Sequence, residues 1–195
     1  MILELGLNKI EFKSTELEFI EKNLKNCFTN KNNKTLLETL NDRRYKTLKE
    51  HFKNSEESLK IPLGKFLFDL KSSENDIYKL FLNSSGDKDF CKFKLKDKNI
   101  SNLRGIYIYT VENEIKYIGR CCDSFYKRID NGYGRISPKN CYRDGQKTNC
   151  HINNLININI EKINLWIYAM ENEKEIKKLE VELIKKYKPN WNIRK

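Results

Sequence analysis

Two short runs of β-branched and aromatic residues constrain this chain most. The first contains Gly105-Ile106-Tyr107, and the second contains Tyr117-Ile118-Gly119. The stretch Glu112-Asn113-Glu114 between them is polar, so the two runs are predicted to form a β-hairpin. Tyr107 and Tyr117 are then expected to lie near each other on neighbouring strands. The glycine in each triplet marks a position where a backbone or a ligand comes close.

The charge of the chain favours an anionic partner. Lys and Arg outnumber Asp and Glu by 38 to 27 over 195 residues, a net charge of +11, and the excess is larger in residues 101–195. Such an excess is typical of a protein that meets nucleic acid, although a solvated Lys-rich surface is the alternative interpretation. The sequence has no apolar run as long as a membrane span and no secretory signal, which predicts a cytoplasmic protein without a membrane partner.

Residues 1–100 are predicted to form a mainly helical region with a role in DNA recognition or dimerisation. Thr15 and Glu18 match a capping box, and Leu17, Ile20 and Leu24 follow at helical spacing. A second helix is predicted from Lys34 to Phe52. It carries four basic side chains, which form either a solvated helix face or a set of contacts with phosphates: Arg43, Arg44, Lys46 and Lys49.

The remaining segments predict an α+β chain whose second domain spans residues 101–195. Apolar residues alternate with lysines over Phe90–Lys96, as in a half-buried strand, and Ile163–Met170 reads as a buried strand. A helix is predicted from Asp123 to Asn131, and another over Glu171–Lys188. Residues 133–160 form a polar insertion, with one helix near residues 149–157.

The last predicted helix carries a carboxylate in an unexpected place. Its apolar stripe is Ile176, Leu179, Leu183, Ile184 and Tyr187. At about 100° per residue, Glu180 lies inside this stripe while Glu182 points away from it. A buried carboxylate costs free energy unless it is paired or binds a metal. Glu180 is therefore either a metal ligand or a residue at the stripe's edge that extends its carboxylate to water or pairs with a lysine.

Arg128 has the same peculiarity on the preceding helix, because it falls between Phe125 and Ile129 on the inward face. Either the apolar stem of this side chain packs inside while its guanidinium reaches water, or the guanidinium meets an anion within the fold. Two inward charges of opposite sign beside two tyrosines form either a structural ion pair or a phosphodiester hydrolysis site.

The second half of the chain resembles the GIY-YIG nuclease family over roughly residues 103–194. The two triplets that define the hairpin are followed in order by Arg120, Arg128 and Glu180. Leu183-Ile184 and then Pro189 to Asn192 complete the pattern. A single triplet would be weak support, whereas all of these elements in order make a specific match.

The resemblance implies a small mixed β-sheet flanked by helices and metal-dependent cleavage of DNA phosphodiester bonds. Glu180 would hold one divalent ion, Mg²⁺ or alternatively Mn²⁺, and Arg128 would contact the scissile phosphate. Tyr107 and Tyr117 would line the site, one of them assisting the attacking water. Residues expected to bind substrate or order the site around it are Arg120, Tyr133, His151 and Asn192.

Two of these residues depart from the family pattern. Some members place a His or Tyr just after the helical Arg, and Tyr133 is the nearest candidate in this sequence. His151 would enter from the insertion, as a phosphate contact or as a surface histidine with local hydrogen bonds. The insertion is rich in Asn, Gln, Arg and Lys, which suit base edges and phosphates.

These observations predict a sequence-specific DNA endonuclease of restriction or defence type, acting on double-stranded DNA as a homo-oligomer, most simply a dimer. The compactness of the chain is the reason for this choice. The first alternative is a structure-selective repair, recombination or homing nuclease. An alternative of another class is a non-catalytic DNA-binding protein on a nuclease scaffold.

Overall fold

The computed structural model describes residues 1–52 and 56–193 as an α+β protein with small antiparallel sheets and several helices. Contacts group the chain into two compact units. Unit 1 contains Met1–Lys22, Cys91–Arg135 and Leu155–Lys195, and unit 2 contains Asn23–Phe90 and Ile136–Asn154. Both units draw residues from either side of residue 100, the boundary expected from the sequence. The functional division there stays a prediction, and residues 194 and 195 of its second part lie outside the described residues.

The secondary structure follows in chain order. The strands are β1 (Ile2–Leu5), β2 (Asn8–Glu11), β3 (Lys13–Thr15), β4 (Leu17–Leu24), β5 (Phe90–Leu95), β6 (Gly105–Val111), β7 (Glu114–Cys121) and β8 (Ile163–Ala169). The α-helices are α1 (Leu36–Leu40), α2 (Glu56–Leu59), α3 (Leu63–Ser72), α4 (Lys147–Ile158) and α5 (Glu173–Tyr187). Short 3₁₀ helices cover Cys27–Asn30, Lys46–Phe52, Asp76–Phe81 and Pro138–Cys141, and a π-helix covers Tyr126–Tyr133.

The N-terminus consists of strands, so the prediction of a mainly helical N-terminal region is wrong for residues 2–24. The expected helix after Thr15 is β4, which pairs with β5. Leu17 and Phe19 are half-buried and alternate with exposed Glu18 and Ile20, a period of two that outweighs the helical spacing of the leucines.

The predicted helix from Lys34 to Phe52 is interrupted. A capping box between Thr35 and Glu38 starts α1, which ends at Leu40. The Asp42 carboxylate then accepts a hydrogen bond from the backbone N–H of Arg44 at 3.0 Å. Such a side-chain turn competes with helical hydrogen bonding, and the chain resumes as a 3₁₀ helix at Lys46.

The hairpin predicted from the two triplets is confirmed as β6 and β7. Its turn residues Glu112 and Asn113 both have positive φ, 51° and 68°, the backbone that suits a two-residue hairpin turn. The sheet has the strand order β3-β8-β6-β7, and every pairing in it is antiparallel. The expected mixed sheet is therefore wrong: the tight turn makes β7 antiparallel to β6, and β8 also runs antiparallel to β6.

The two faces of the sheet bury different side chains, as the two-residue period of strands requires. One face packs Ile106, Ile108 and Ile118 against Ile176 and Leu183 of α5. The opposite face carries the tyrosines of β6 and β7. Because β7 is an edge strand, side chains from either face can reach the same border of the sheet.

Unit 2 has its own hydrophobic core. Its largest fully buried members are Phe28, Leu36, Tyr45, Phe81, Phe90 and Tyr142. The polar insertion contributes Cys141 and Cys150 to this core, and its predicted helix is confirmed as α4. Among the described residues, no helix has the length and apolar character needed to cross a bilayer.

Candidate functional site

The glycine of the second triplet lies opposite the tyrosine of the first. Tyr107 on β6 pairs in register with Gly119 on β7. A Cβ atom added to Gly119 would lie 2.4 Å from both the Cζ atom and the hydroxyl oxygen of Tyr107. Glycine at this position therefore leaves the space in which the Tyr107 ring crosses the edge strand.

Four buried tyrosines pack together on this face, and we call them the tyrosine cluster: Tyr107, Tyr109, Tyr117 and Tyr133. The hydroxyl of Tyr133 lies 2.9 Å from that of Tyr107 and 3.0 Å from that of Tyr117. Tyr133 therefore links the two motif tyrosines through hydrogen bonds. The Tyr109 ring packs against Tyr107 with 6.0 Å between centroids.

Arg128 completes this arrangement. Its Nε–H donates a hydrogen bond to the Tyr107 hydroxyl at 3.1 Å. Its guanidinium carbon lies 4.6 Å from the centroid of the Tyr133 ring, a cation–π contact. Two different side chains of the tyrosine cluster thus hold one cation.

The π-helix explains why Arg128 and Tyr133 face the same side. In an α-helix two residues five positions apart would point about 140° away from each other. The wider i→i+5 winding over Tyr126–Tyr133 brings such a pair onto one face. The predicted helix after Asp123 is confirmed, but it is a π-helix over Tyr126–Tyr133 and does not end at Asn131. The Ser124 hydroxyl accepts the N–H of Lys127 at 3.2 Å near its start.

Burial keeps three of these tyrosines, Tyr107, Tyr109 and Tyr133, neutral. It raises the pKa of Tyr107 above its ordinary value, and the Arg128 charge opposes this only in part. Burial likewise raises the pKa of Tyr133 and of Tyr109. The hydroxyls of Tyr107 and Tyr133 therefore act as neutral hydrogen-bonding groups near a guanidinium that stays protonated, whereas the buried Tyr109 hydroxyl has no hydrogen-bond partner among the described residues.

Glu180 and Arg120 approach the same border from the other face of the sheet. Arg120 pairs in register with Ile106, whose side chain packs on the α5 side. Its guanidinium forms an ion pair with the Glu180 carboxylate. The Glu180 side chain is 16% exposed, whereas Glu182 is 42% exposed, so the inward direction predicted for Glu180 is confirmed.

Two opposing effects act on the pKa of Glu180. Burial raises the pKa of its carboxyl group, while the charges of Arg120 and Arg128 act to lower it. Both arginines are therefore within electrostatic reach of this carboxylate. The border of the sheet at β7 brings together two cations, one carboxylate and the tyrosine hydroxyls.

Asn192 contacts the backbone of the second triplet. Its side-chain oxygen accepts the N–H of Ile118 at 3.0 Å, and its side-chain nitrogen donates to the carbonyl of Ile118 at 2.8 Å. The N–H of Trp191 also donates to the carbonyl of Lys116 at 2.9 Å. These bonds hold the C-terminal segment along β7, so Asn192 orders the strand that carries Tyr117; its expected contact with substrate stays a prediction.

The predicted residues thus fall into two groups. Those of unit 1 meet around the border of β7: Tyr107, Tyr117, Arg120, Arg128, Tyr133, Glu180 and Asn192. His151 lies in unit 2, half-buried on α4, and its expected role stays a prediction. Sequence reasoning missed Tyr109, although its position two residues after Tyr107 places it on the same strand face.

The residues present fit a divalent ion bound with few protein ligands. Among the described residues, no group of three or more His, Cys, Asp or Glu side chains could hold a metal ion. Mg²⁺ usually keeps several waters and takes one or two carboxylates plus substrate phosphates. A single inward carboxylate, Glu180, at the border of the sheet meets that requirement once Arg120 releases it.

Comparisons with known proteins return no match for this chain: no family model, no curated protein and no solved structure matches it.

Proposed function

We propose that this chain is a metal-dependent endonuclease of the GIY-YIG type, which hydrolyses phosphodiester bonds in double-stranded DNA. The observation that carries the proposal is the position of Arg128. Its guanidinium is fixed by the Tyr107 hydroxyl and the Tyr133 ring, and its charge also reaches Glu180. A fixed cation whose charge acts on an inward carboxylate suits a site at which a phosphate gains charge during reaction.

In the proposed reaction, a water oxygen attacks the scissile phosphorus and gives its proton to solvent water. The bond to the leaving deoxyribose oxygen breaks, and that oxygen takes up a proton from solvent water. Arg128 donates hydrogen bonds to the phosphate oxygens, on which negative charge increases in the transition state. Its attachment to two tyrosines means that little reorganisation is needed as the reaction proceeds. Arg120, at the same border of the sheet, would hold a neighbouring phosphate oxygen.

The environments of the tyrosines divide their roles. Tyr107 is fully buried with a raised pKa, so it serves as the hydroxyl that positions Arg128. Tyr117 is 7% exposed and bonds only to the Tyr133 hydroxyl among the contacts described. We assign to Tyr117 the orientation of the attacking water, with Tyr133 as the partner that fixes its hydroxyl.

Glu180 would hold the divalent ion, Mg²⁺ or Mn²⁺. When bound, such an ion polarises the phosphoryl oxygen and lowers the pKa of a bound water. Glu180 is paired with Arg120, and this ion pair has to open before the carboxylate can act as a ligand. An approaching phosphate offers Arg120 a replacement anion, which couples substrate binding to release of the carboxylate.

At the level of substrate choice, we propose cleavage at specific sites by a dimer, as in restriction or defence enzymes. The presence of a second compact unit with its own core supports this choice, since such a unit can supply sequence recognition. Incubating the chain with phage DNA and Mg²⁺ should produce discrete bands. Nicking limited to flaps and single-stranded regions would favour the structure-selective alternative, and intact DNA would contradict the nuclease proposal.

The non-catalytic alternative is favoured by one observation, the ion pair between Arg120 and Glu180. A chain in which this pair never opens would bind DNA through its cations without cutting it. The Arg120→Ala variant frees the carboxylate for Mg²⁺. An enzyme should then bind Mg²⁺ more tightly than the unmodified chain and still cleave DNA, whereas a binding protein should cleave no DNA with or without the substitution. Metal binding by isothermal titration, alongside the cleavage assay, gives the answer.

A further inference from the structure

Three lysines of unit 2 lie within electrostatic reach around Lys31, and we call them the Lys31 cluster: Lys31, Lys34 and Lys139. The start of α3 fixes the first two. The N–H of Gly64 donates to the carbonyl of Lys31 at 3.0 Å, and the N–H of Leu63 donates to the carbonyl of Lys34 at 2.9 Å. Two successive backbone bonds therefore hold this loop, and the side chain of Lys34 is exposed.

Tyr142 joins Lys139 to Lys31. The Lys31 ammonium lies 4.3 Å from the centroid of the Tyr142 ring. The backbone N–H of Tyr142 donates to the carbonyl of Lys139 at 3.2 Å, and its hydroxyl donates to the carbonyl of Phe28 at 2.9 Å. This buried tyrosine thus contacts the ammonium group of Lys31 and the backbone of Lys139, which come from segments far apart in sequence.

The acidic residues near the Lys31 cluster, Asp144 and Asp42, contact other partners. The Asp144 carboxylate accepts a hydrogen bond from the Tyr45 hydroxyl at 2.8 Å and lies 3.7 Å from the guanidinium of Arg44. Asp42 caps the turn at Arg44. In the described part of the chain, no ion pair involves any lysine of the Lys31 cluster.

The charges of Lys34 and Lys139 repel that of Lys31. Burial lowers the pKa of Lys31 first, and the charges of Lys34 and Lys139 lower it further, against the opposing effect of Asp144. An anion bound among them would relieve this repulsion. Three lysines of unit 1 have a different environment, because Lys22, Lys94 and Lys96 each form an ion pair with a glutamate: Glu161, Glu18 and Glu16.

We propose that the Lys31 cluster binds the phosphate backbone of double-stranded DNA. That the bound anion is DNA rests on the proposed function. That these lysines lie near one another without ion pairs does not depend on the proposed function. Three separate ammonium groups suit successive phosphates of a duplex, since lysine binds phosphate as a point charge and the DNA carries one charge per about 1.7 Å of its axis. Exposed Asn32 and Asn33, between two of these lysines, can add hydrogen bonds to the same backbone.

The salt dependence of DNA binding tests this proposal directly. Each neutralised phosphate contributes about 0.9 to the slope of log K against log salt concentration. The Glu180→Gln variant serves as the background, so that binding to a 30-base-pair duplex is measured without cleavage. Adding Lys31→Met, Lys34→Gln and Lys139→Gln should reduce the slope by about 2.7. Met at position 31 keeps an apolar stem against Tyr142.

The matched control removes equal charge from unit 1, through Lys22→Gln, Lys94→Gln and Lys96→Gln in the same background. Its slope should stay unchanged, because those lysines already have glutamate partners. An unchanged slope in the Lys31-cluster variant, or an equal fall in the control, would overturn the proposal. If the triple variant does not fold, Lys34→Gln with Lys139→Gln alone should reduce the slope by about 1.8, and no reduction would again refute it.

The two proposals can fail separately. If the unmodified chain cleaves DNA but the slope does not respond to the Lys31 cluster, the nuclease proposal stands and this one falls. If the unmodified chain cuts no DNA but the slope responds, the cluster binds DNA and the nuclease proposal falls.

Discussion

At the scale of single residues, Gly119 decides where the Tyr107 hydroxyl can lie. The ring of Tyr107 occupies the space a side chain at position 119 would need, and its hydroxyl then meets Arg128. The ring is also enclosed by Tyr117, Tyr133 and other aromatic neighbours. The ring therefore has little freedom to move aside, and the position of Arg128 depends on this glycine.

Gly119→Ala should destabilise the chain by about 1–3 kcal/mol, the usual cost of overpacking a core. It should also weaken cleavage, because Tyr107 would have to leave the position in which it holds Arg128. Urea unfolding and the cleavage assay measure the two effects.

Gly132→Ala is the control for that substitution, since a Cβ there would meet its nearest atom, the carbonyl oxygen of Lys127, at 3.4 Å, an ordinary contact. It should leave stability and cleavage nearly unchanged. Equal behaviour of the two variants would refute the role assigned to Gly119.

At the scale of elements, the C-terminal segment acts as a brace for β7. Asn192 satisfies both backbone groups of Ile118, between Tyr117 and Gly119 of the second triplet. Asn192→Asp replaces the donor with an acceptor that faces the carbonyl of Ile118. We expect a loss of about 1–3 kcal/mol in the free energy of unfolding, as for an unsatisfied polar group.

The matched control for this prediction is Asn190→Asp, two residues earlier, where the side chain is exposed. It adds the same charge and should leave stability and cleavage unaltered. If Asn192→Asp alone loses cleavage without losing stability, Asn192 contacts the substrate and is not a brace. Denaturant unfolding of both proteins separates these outcomes.

Elements also show where sequence reasoning succeeds and fails. The inward direction of Glu180 was predictable because α5 is long and its apolar stripe keeps a regular period. The π-helix was not predictable, because a helical pattern over eight residues does not reveal whether the winding is i→i+4 or i→i+5. Only the latter brings Tyr133 beside Arg128. The sequence of β4, which was predicted to be a helix, fits both the helical period and the two-residue period of a strand. Its pairing with β5 makes this segment a strand.

At the scale of the whole molecule, the sequence predicted the hairpin, β5, β8 and α5, which together form most of the surroundings of the site. The sequence did not predict how the chain divides into its two compact units. Each compact unit is assembled from segments distant in sequence, and a boundary at residue 100 rests on local composition alone. Long-range packing of this kind leaves no periodic signal in the sequence.

The central claim concerns the whole chain: Glu180 holds a divalent ion for DNA cleavage. The most direct measurement compares Glu180→Gln with Glu182→Gln, which removes the same charge two residues away from a more exposed side chain paired with Lys178. Both variants are assayed for cleavage of duplex DNA with Mg²⁺ and, separately, for DNA binding.

Glu180→Gln should lower the cleavage rate by about 10²-fold or more while DNA binding persists, because a metal contribution of several kcal/mol is lost. Glu182→Gln should cut at the rate of the unmodified chain. Undiminished cleavage by Glu180→Gln, or an equal loss in both variants, would contradict the account.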